Sequence, residues 1–100
     1  MVIYEVNLTL EPEIVAEFHM WLDEHIAEML TFEGFEQSKL LKVEDASVYR
    51  LTVWYFVESR SALEHYFTVG AARMREDGLR RFGDRFSATR RIMDVMDETN

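Results

Sequence analysis

Residues 14–35 read IVAEFHMWLDEHIAEMLTFEGF, and the rest of the chain can be placed around them. At 100° per residue, Ile14, Phe18, Leu22, His25 and Met29 share one stripe, with Val15, Trp21 and Ile26 on its flanks. Glu17, Asp23, Glu24 and Glu28 take the opposite side. The spacing predicts an amphipathic helix from Ile14 to about Leu30, followed by a connection at Thr31–Phe35 in which Gly34 supplies the turn. A helix with one apolar stripe must bury it against another layer. His25 interrupts that stripe, one turn from Trp21, where leucine is expected.

The layer it covers is read on either side. Val2, Tyr4, Val6, Leu8 and Leu10 alternate with Ile3, Glu5, Asn7 and Thr9, which predicts a strand with one apolar and one mixed face. Glu11-Pro12-Glu13 ends it and suits the first turn of the helix. Glu36–Glu44 reads as a strand of poorer pattern, nearer an edge, and Asp45-Ala46-Ser47 as a hairpin turn. In 48–58, Tyr49, Leu51, Val53, Tyr55 and Val57 alternate with Arg50, Thr52, Trp54 and Phe56, a density of β-branched and aromatic residues expected of a central strand. Ser61-Ala62-Leu63-Glu64 fits a capping box opening a second helix. Its stripe runs Leu63, Tyr66, Phe67, Gly70 and Met74, with a break or bend expected after Gly70. Arg85–Met93 reads as the last strand.

The order β-α-β-β-α-β predicts an α+β, ferredoxin-like domain over 1–94, with two helices on one face of a four-stranded antiparallel sheet, and a polar tail, 95–100. The face left uncovered carries Ile3, Trp54 and Phe56 among Glu5, Asn7, Arg50 and Thr52. It is too apolar for water and too polar for an ordinary core, which a second copy of the same face would resolve. These residues, Ile3, Glu5, Asn7, Arg50, Trp54 and Phe56, are the expected homodimer interface, with Glu5 and Arg50 as a charge pair within it.

Composition limits the chemistry. Cysteine is absent, so thiol and disulfide chemistry are ruled out. The net charge is −8, and residues 1–50 carry all of it, since 51–100 hold eight acidic and eight basic residues. An acidic chain repels phosphate backbones, so no nucleic-acid partner is expected. No basic-then-apolar leader and no run near the ~20 residues of a membrane span is found, so a cytoplasmic protein without a membrane partner is expected. His19 and His25 point in different directions on the helix, and no metal site is expected.

Tyr4-Glu5-Val6-Asn7-Leu8, Trp21-Leu22 with His25, Glu33-Gly34-Phe35, Thr52-Val53-Trp54, and Arg73-Met74 ahead of Phe82 and Phe86 resemble the antibiotic-biosynthesis-monooxygenase branch of the dimeric α+β barrel superfamily. The chain is most similar there to an uncharacterised bacterial family of about its own 100 residues. The resemblance spans the whole chain. It implies a homodimer with sheets face to face and, in each subunit, a pocket between sheet and helices. In such a pocket, the positions of Tyr4 and Tyr55 on the apolar strand faces and of Phe18, Trp21 and His25 on the helix make Tyr4, Phe18, Trp21, Tyr55 and Arg73 the expected ligand-binding residues and His25 the candidate catalytic one. Members include cofactor-free monooxygenases, haem-degrading enzymes and proteins without known activity.

His25 is then either a pocket base, titrating near neutrality, or a neutral core histidine bonded to Tyr4, Tyr55 or a carbonyl. Arg73 either meets an anionic ligand or is solvated. Three function classes follow. The first is a protein binding a small aromatic or polyketide-like molecule, as an oxygenase-like enzyme without cofactors. The second is a non-catalytic dimeric binding or stress-response module, and the third a subunit whose helices dock a partner.

Haem-degrading members use an asparagine on the first strand and a tryptophan and a histidine on the second helix. Aligned on Thr52-Val53-Trp54, this chain has Leu63 and Arg73 at the two helical positions, and Asn7 on the first strand. Haemin titration should therefore give no saturable one-to-one Soret shift, and a sharp shift with reductant-dependent bleaching would refute that expectation.

Overall fold

A computed structural model describes residues 1–45 and 47–99. The chain forms β1 (Val2–Leu10), a 3-10 turn (Pro12–Ile14), α1 (Val15–Met29), β2 (Phe35–Val43), β3 (Tyr49–Val57), α2 (Arg60–Val69), α3 (Ala71–Phe82), a second 3-10 turn (Gly83–Arg85) and β4 (Phe86–Asp94). The strands make one antiparallel sheet in the order β2-β3-β1-β4. This is the ferredoxin-like α+β arrangement, with β1 and β3 central as their alternation requires.

β1 and β3 pair without a bulge from Val2↔Val57 to Leu10↔Tyr49, so the apolar set of each strand meets that of the other. A slip of one residue would turn both sets to the wrong side. Tyr4, Leu8, Leu10, Leu51, Val53, Tyr55 and Val57 form the floor of the core, and Ile14, Phe18, Leu22 and Met29 of α1 cover it. Phe18, Val57 and Leu63 keep no accessible surface. Each such side chain contributes about 1.5–3 kcal/mol relative to exposure.

The second helix divides into α2 and α3, so three helices stand where two were expected. A Cβ at Gly70 would lie 2.4 Å from the Phe32 ring, so the chain turns where that ring is admitted. Gly34, at φ 86°, closes the other end of the core; its carbonyl accepts from the Glu58 amide at 2.8 Å. The capping box expected at Ser61 does not form. Ser59 caps α2 instead, its Oγ accepting from the Ala62 amide at 3.1 Å. Glu64 pairs with Arg60 at 3.0 Å. In the hairpin after β2, the Ser47 amide donates to Asp45 at 2.9 Å; Ala46, of the same expected turn, lies outside the described residues. In the tail, the Val95 amide donates to the Met1 carbonyl at 3.1 Å, and Asn100 lies outside the described residues.

On the open face the expected Glu5–Arg50 pair is replaced by another. Arg50 stands opposite Thr9, several rungs from Glu5, and pairs with Asp45 at 3.4 Å. The cross-strand partners of Glu5 are Trp54 on β3 and Arg91 on β4. Although Glu5 faces away from the helices, only 4% of it is exposed. Its carboxylate accepts from the Trp54 indole at 2.8 Å, from the Asn7 amide at 2.9 Å, and from Arg91, while Thr52 donates to Asn7 at 2.7 Å. Ile3, Asn7, Trp54 and Phe56 are half-buried around it.

Burial alone would raise the Glu5 pKa, but the hydrogen bonds from Arg91, Asn7 and Trp54 and the Arg91 charge outweigh it and hold the carboxyl below its ordinary 4.5. Stability from this group is complete above the unfolded value and is lost as pH falls through the lower folded one. Glu5→Ala should cost about 1–3 kcal/mol in chemical denaturation, because it leaves the indole and amide donors unpaired. It should also flatten the acid limb of the stability profile below pH 4.5; an unchanged acid limb would show that Glu5 carries no such linkage.

Candidate functional site

Between the helices and the sheet lies a cavity of about 50 Å³. β1 and β3 contribute Tyr4 and Tyr55, α1 contributes Phe18, Trp21 and His25, and α2 contributes Tyr66. α3 adds Met74, Arg75 and Gly78, and β4 adds Phe86 and Arg90. Phe18, Trp21, Phe82 and Phe86 form one aromatic cluster, with Phe18 centroids 5.0–5.3 Å from the other three, and all but Phe82 line the cavity.

Trp21 is held from two sides. Its Nε1 donates to Asp77 at 3.0 Å, and a Cβ on Gly78 would stand 3.0 Å from the far edge of its ring. The missing side chain of Gly78 is what lets α3 run beneath the indole. His25 stacks on Trp21 with centroids 4.5 Å apart and planes 27° from parallel. The imidazole is half-buried rather than sealed in the stripe. Burial pushes its pKa below 6.5, and the positive charge of Arg90 acts the same way, against the opposing pull of Asp77 and Glu28. The net shift favours the neutral imidazole.

Tyr4 and Tyr55, the expected hydrogen-bond partners of His25, both line the cavity, but neither bonds the imidazole among the described residues. The Tyr4 hydroxyl instead accepts from Arg75 Nη2 at 3.1 Å. Tyr55 stacks on Tyr4 and Tyr66 meets it at a tilt, the Tyr4–Tyr55 and Tyr4–Tyr66 centroids each lying 6.1 Å apart. Burial raises both phenols well above their ordinary value, Tyr66 to about 12, so they stay protonated.

Arg73, expected at the pocket mouth, is elsewhere. It pairs with Glu28 at 2.6 Å on the outer surface, and Arg75 takes the place at the cavity. Arg73 and Arg75 flank the buried Met74 by 100° on either side, so the sequence leaves the choice between them to the path of α3 after the Gly70 break. Arg90 was not anticipated either. It is opposite Val6 and so on the helix side of β4, while Arg91, opposite Glu5, is on the open side. The register of an edge strand carrying adjacent arginines decides this, and no local pattern announces it. Leu63 is fully buried in the core, and Asn7 lies on the open face.

Outside the cavity, Arg75, Phe86 and Arg90 also line a groove of about 220 Å³ with Leu79, Ser87 and Ala88. The same three side chains thus border both the inner void and the outer groove. Ligands usually occupy about 300–1,000 Å³, so the inner void alone admits only water-sized occupants. Among the described residues no three His, Asp or Glu side chains converge on one point, which leaves no metal-binding cluster there. The arrangement offers an imidazole, three phenols and two guanidiniums on an otherwise apolar lining.

A family model described as "Domain of unknown function (DUF4286)" matches residues 1–96. No curated protein matches the sequence. Solved structures share the fold, and three of them show how far the likeness extends. A dimeric ferredoxin-like protein from an uncultured marine organism is 14% identical, with a TM-score of 0.78 over 100% of this chain and 99% of that one. A Deinococcus radiodurans protein provisionally described as an antibiotic biosynthesis monooxygenase is 16% identical, with a TM-score of 0.76 over 100% and 97%. A mutant of SnoaB, a cofactor-independent oxygenase from Streptomyces nogalater, is 14% identical, with a TM-score of 0.72 over 97% and 95%. At these identities the likeness is one of fold.

Proposed function

The chain belongs to the family described as domain of unknown function DUF4286, and we propose that it is a cytoplasmic homodimer that binds a small aromatic or polyketide-like molecule between sheet and helices, as an oxygenase-like enzyme without cofactors. The observation that carries this is the half-buried His25 imidazole on a cavity that shares Arg75, Phe86 and Arg90 with the outer groove. Arg75 is exposed and tied inward by one hydrogen bond to Tyr4. Its withdrawal joins the two spaces and makes room for a ring against Phe18 and Trp21. His25 then takes a proton from an activated carbon or a phenol of the ligand, which leaves an enolate or phenolate beside Arg75. Helices in the described residues are too short and too polar to cross a membrane, in keeping with the cytoplasmic proposal.

The small volume of the cavity favours a second possibility, a dimeric module without catalysis. Oxygen uptake separates the two. Anthrone, whose ring CH2 is activated by a carbonyl, should consume oxygen faster with the protein present and metals chelated. His25→Leu should abolish that acceleration while changing stability by less than about 1 kcal/mol, since it removes one ring stack and breaks no hydrogen bond. Unaccelerated uptake in the wild type would leave the non-catalytic module.

The dimer is proposed through the open sheet face. Trp54, Phe56 and Ile3 surround a fully bonded Glu5 there, and a relative of the same fold is described as dimeric. Such a contact should bury more than about 1,200 Å² in total. Sedimentation should give twice the 11.9 kDa of one chain, and Trp54→Glu should dissociate or unfold it. A folded wild-type monomer at micromolar concentration would refute the interface.

A further inference from the structure

The charges around the cavity do not cancel. Arg50, Arg60, Arg73, Arg80 and Arg91 each meet a carboxylate. Arg75, Arg81, Arg85 and Arg90 meet none among the described residues, and of these four Arg75 and Arg90 line both the inner void and the outer groove. The nearby acids are engaged elsewhere: Asp77 with the Trp21 indole, Glu28 with Arg73, and Glu76 with Arg80. Arg75 instead donates to an uncharged hydroxyl, that of Tyr4. In a chain with 19 acidic and 11 basic residues, two guanidiniums without a carboxylate partner beside an apolar lining need an explanation.

A guanidinium matches a carboxylate in shape, and a charge-assisted hydrogen bond is roughly twice as strong as a neutral one. We propose that the ligand of this cavity is an organic anion. It is a hydrocarbon ring or chain bearing a carboxylate or an ionised enolate, whose charge is held by Arg75 and Arg90 and whose apolar body lies against Phe18, Trp21 and Phe86. The proposal rests on the pocket described above and adds the chemical class of its occupant. The anion gives Arg75 a better acceptor than Tyr4, so the step that binds the charge is also the step that draws the guanidinium off the cavity. Because the whole chain is acidic, its long-range field opposes anions, and adsorption without a specific site is disfavoured.

Calorimetric titration of the full-length protein with 2-naphthoate and with 2-naphthylmethanol, an uncharged molecule of nearly the same shape, tests this. Naphthoate should bind at least about tenfold more tightly. The gap should narrow in Arg90→Gln, which leaves the Arg75–Tyr4 bond in place, and close in the Arg75→Gln/Arg90→Gln double variant. Both side chains are exposed, so circular dichroism should stay unchanged and show that folding is intact, while melting should fall only in the double variant, which removes the donor to the buried Tyr4 hydroxyl. An alcohol that binds as tightly as the acid, or a gap that survives the double variant, overturns the anion assignment and leaves the pocket standing. If neither probe binds and anthrone is also inert, the pocket fails and the assignment fails with it.

Discussion

The pairing of β1 with β3, nine rungs without a bulge, is the constraint on which the rest of the structure depends. Each strand has one face that must leave water and one that is mixed, and the pairing keeps like faces together. Once the apolar faces are merged, α1 can settle Phe18 and Leu22 on them, and the chain must return through α2 and α3 to cover the remainder. β4 can then pair only with the free edge of β1. The cavity exists because a helix carrying Trp21 and His25 crosses over strands carrying Tyr4 and Tyr55, side chains too large and too polar to close on one another completely.

Alternation and helical period made most of this architecture legible. Val2–Leu10 and Val48–Glu58 announce central strands, Ile14–Leu30 announces the covering helix, and the weaker 36–44 pattern announces an edge. The errors share one physical origin, which is that local spacing does not report a partner elsewhere in the chain. Ser59 and Ser61 are both good caps, and the entry of the chain from β3 selects the first. Arg50 and Arg91 are both candidates to neutralise Glu5, and the register of β4 selects the second. Arg73 and Arg75 straddle Met74, and the Phe32 ring wedged at Gly70 sets the direction of α3 and so selects between them. For the candidate site, Phe18, Trp21, Tyr4 and Tyr55 were legible because they lie on stripes. Arg90 and Asp77 were not, because their placement depends on a strand and a helix more than fifty residues from those they face.

The sheet therefore separates two chemistries. On its open side, Glu5 is an ionised group whose charge is met within the chain by Arg91, Trp54 and Asn7, so that face can be covered by apolar surface without leaving a buried charge unpaired. On its helix side the excess is positive and incomplete, with Arg75 and Arg90 set at the rim of an apolar space. The first arrangement suits a permanent contact and the second an exchangeable one. His25 sits with the second group, where a proton acceptor is of use only if something arrives to give up a proton.

The two tryptophans fall on opposite sides of this partition, Trp54 on the open face and Trp21 over the cavity. Each indole NH is tied to a carboxylate, Glu5 for one and Asp77 for the other. The chain thus carries two intrinsic optical reporters in comparable bonding but different surroundings. Trp21 alone touches an imidazole, at 4.5 Å between centroids, so its emission is the one that should vary with the ionisation of His25. Replacing either indole by phenylalanine would leave a single-tryptophan protein, in which events on one face can be followed without interference from the other.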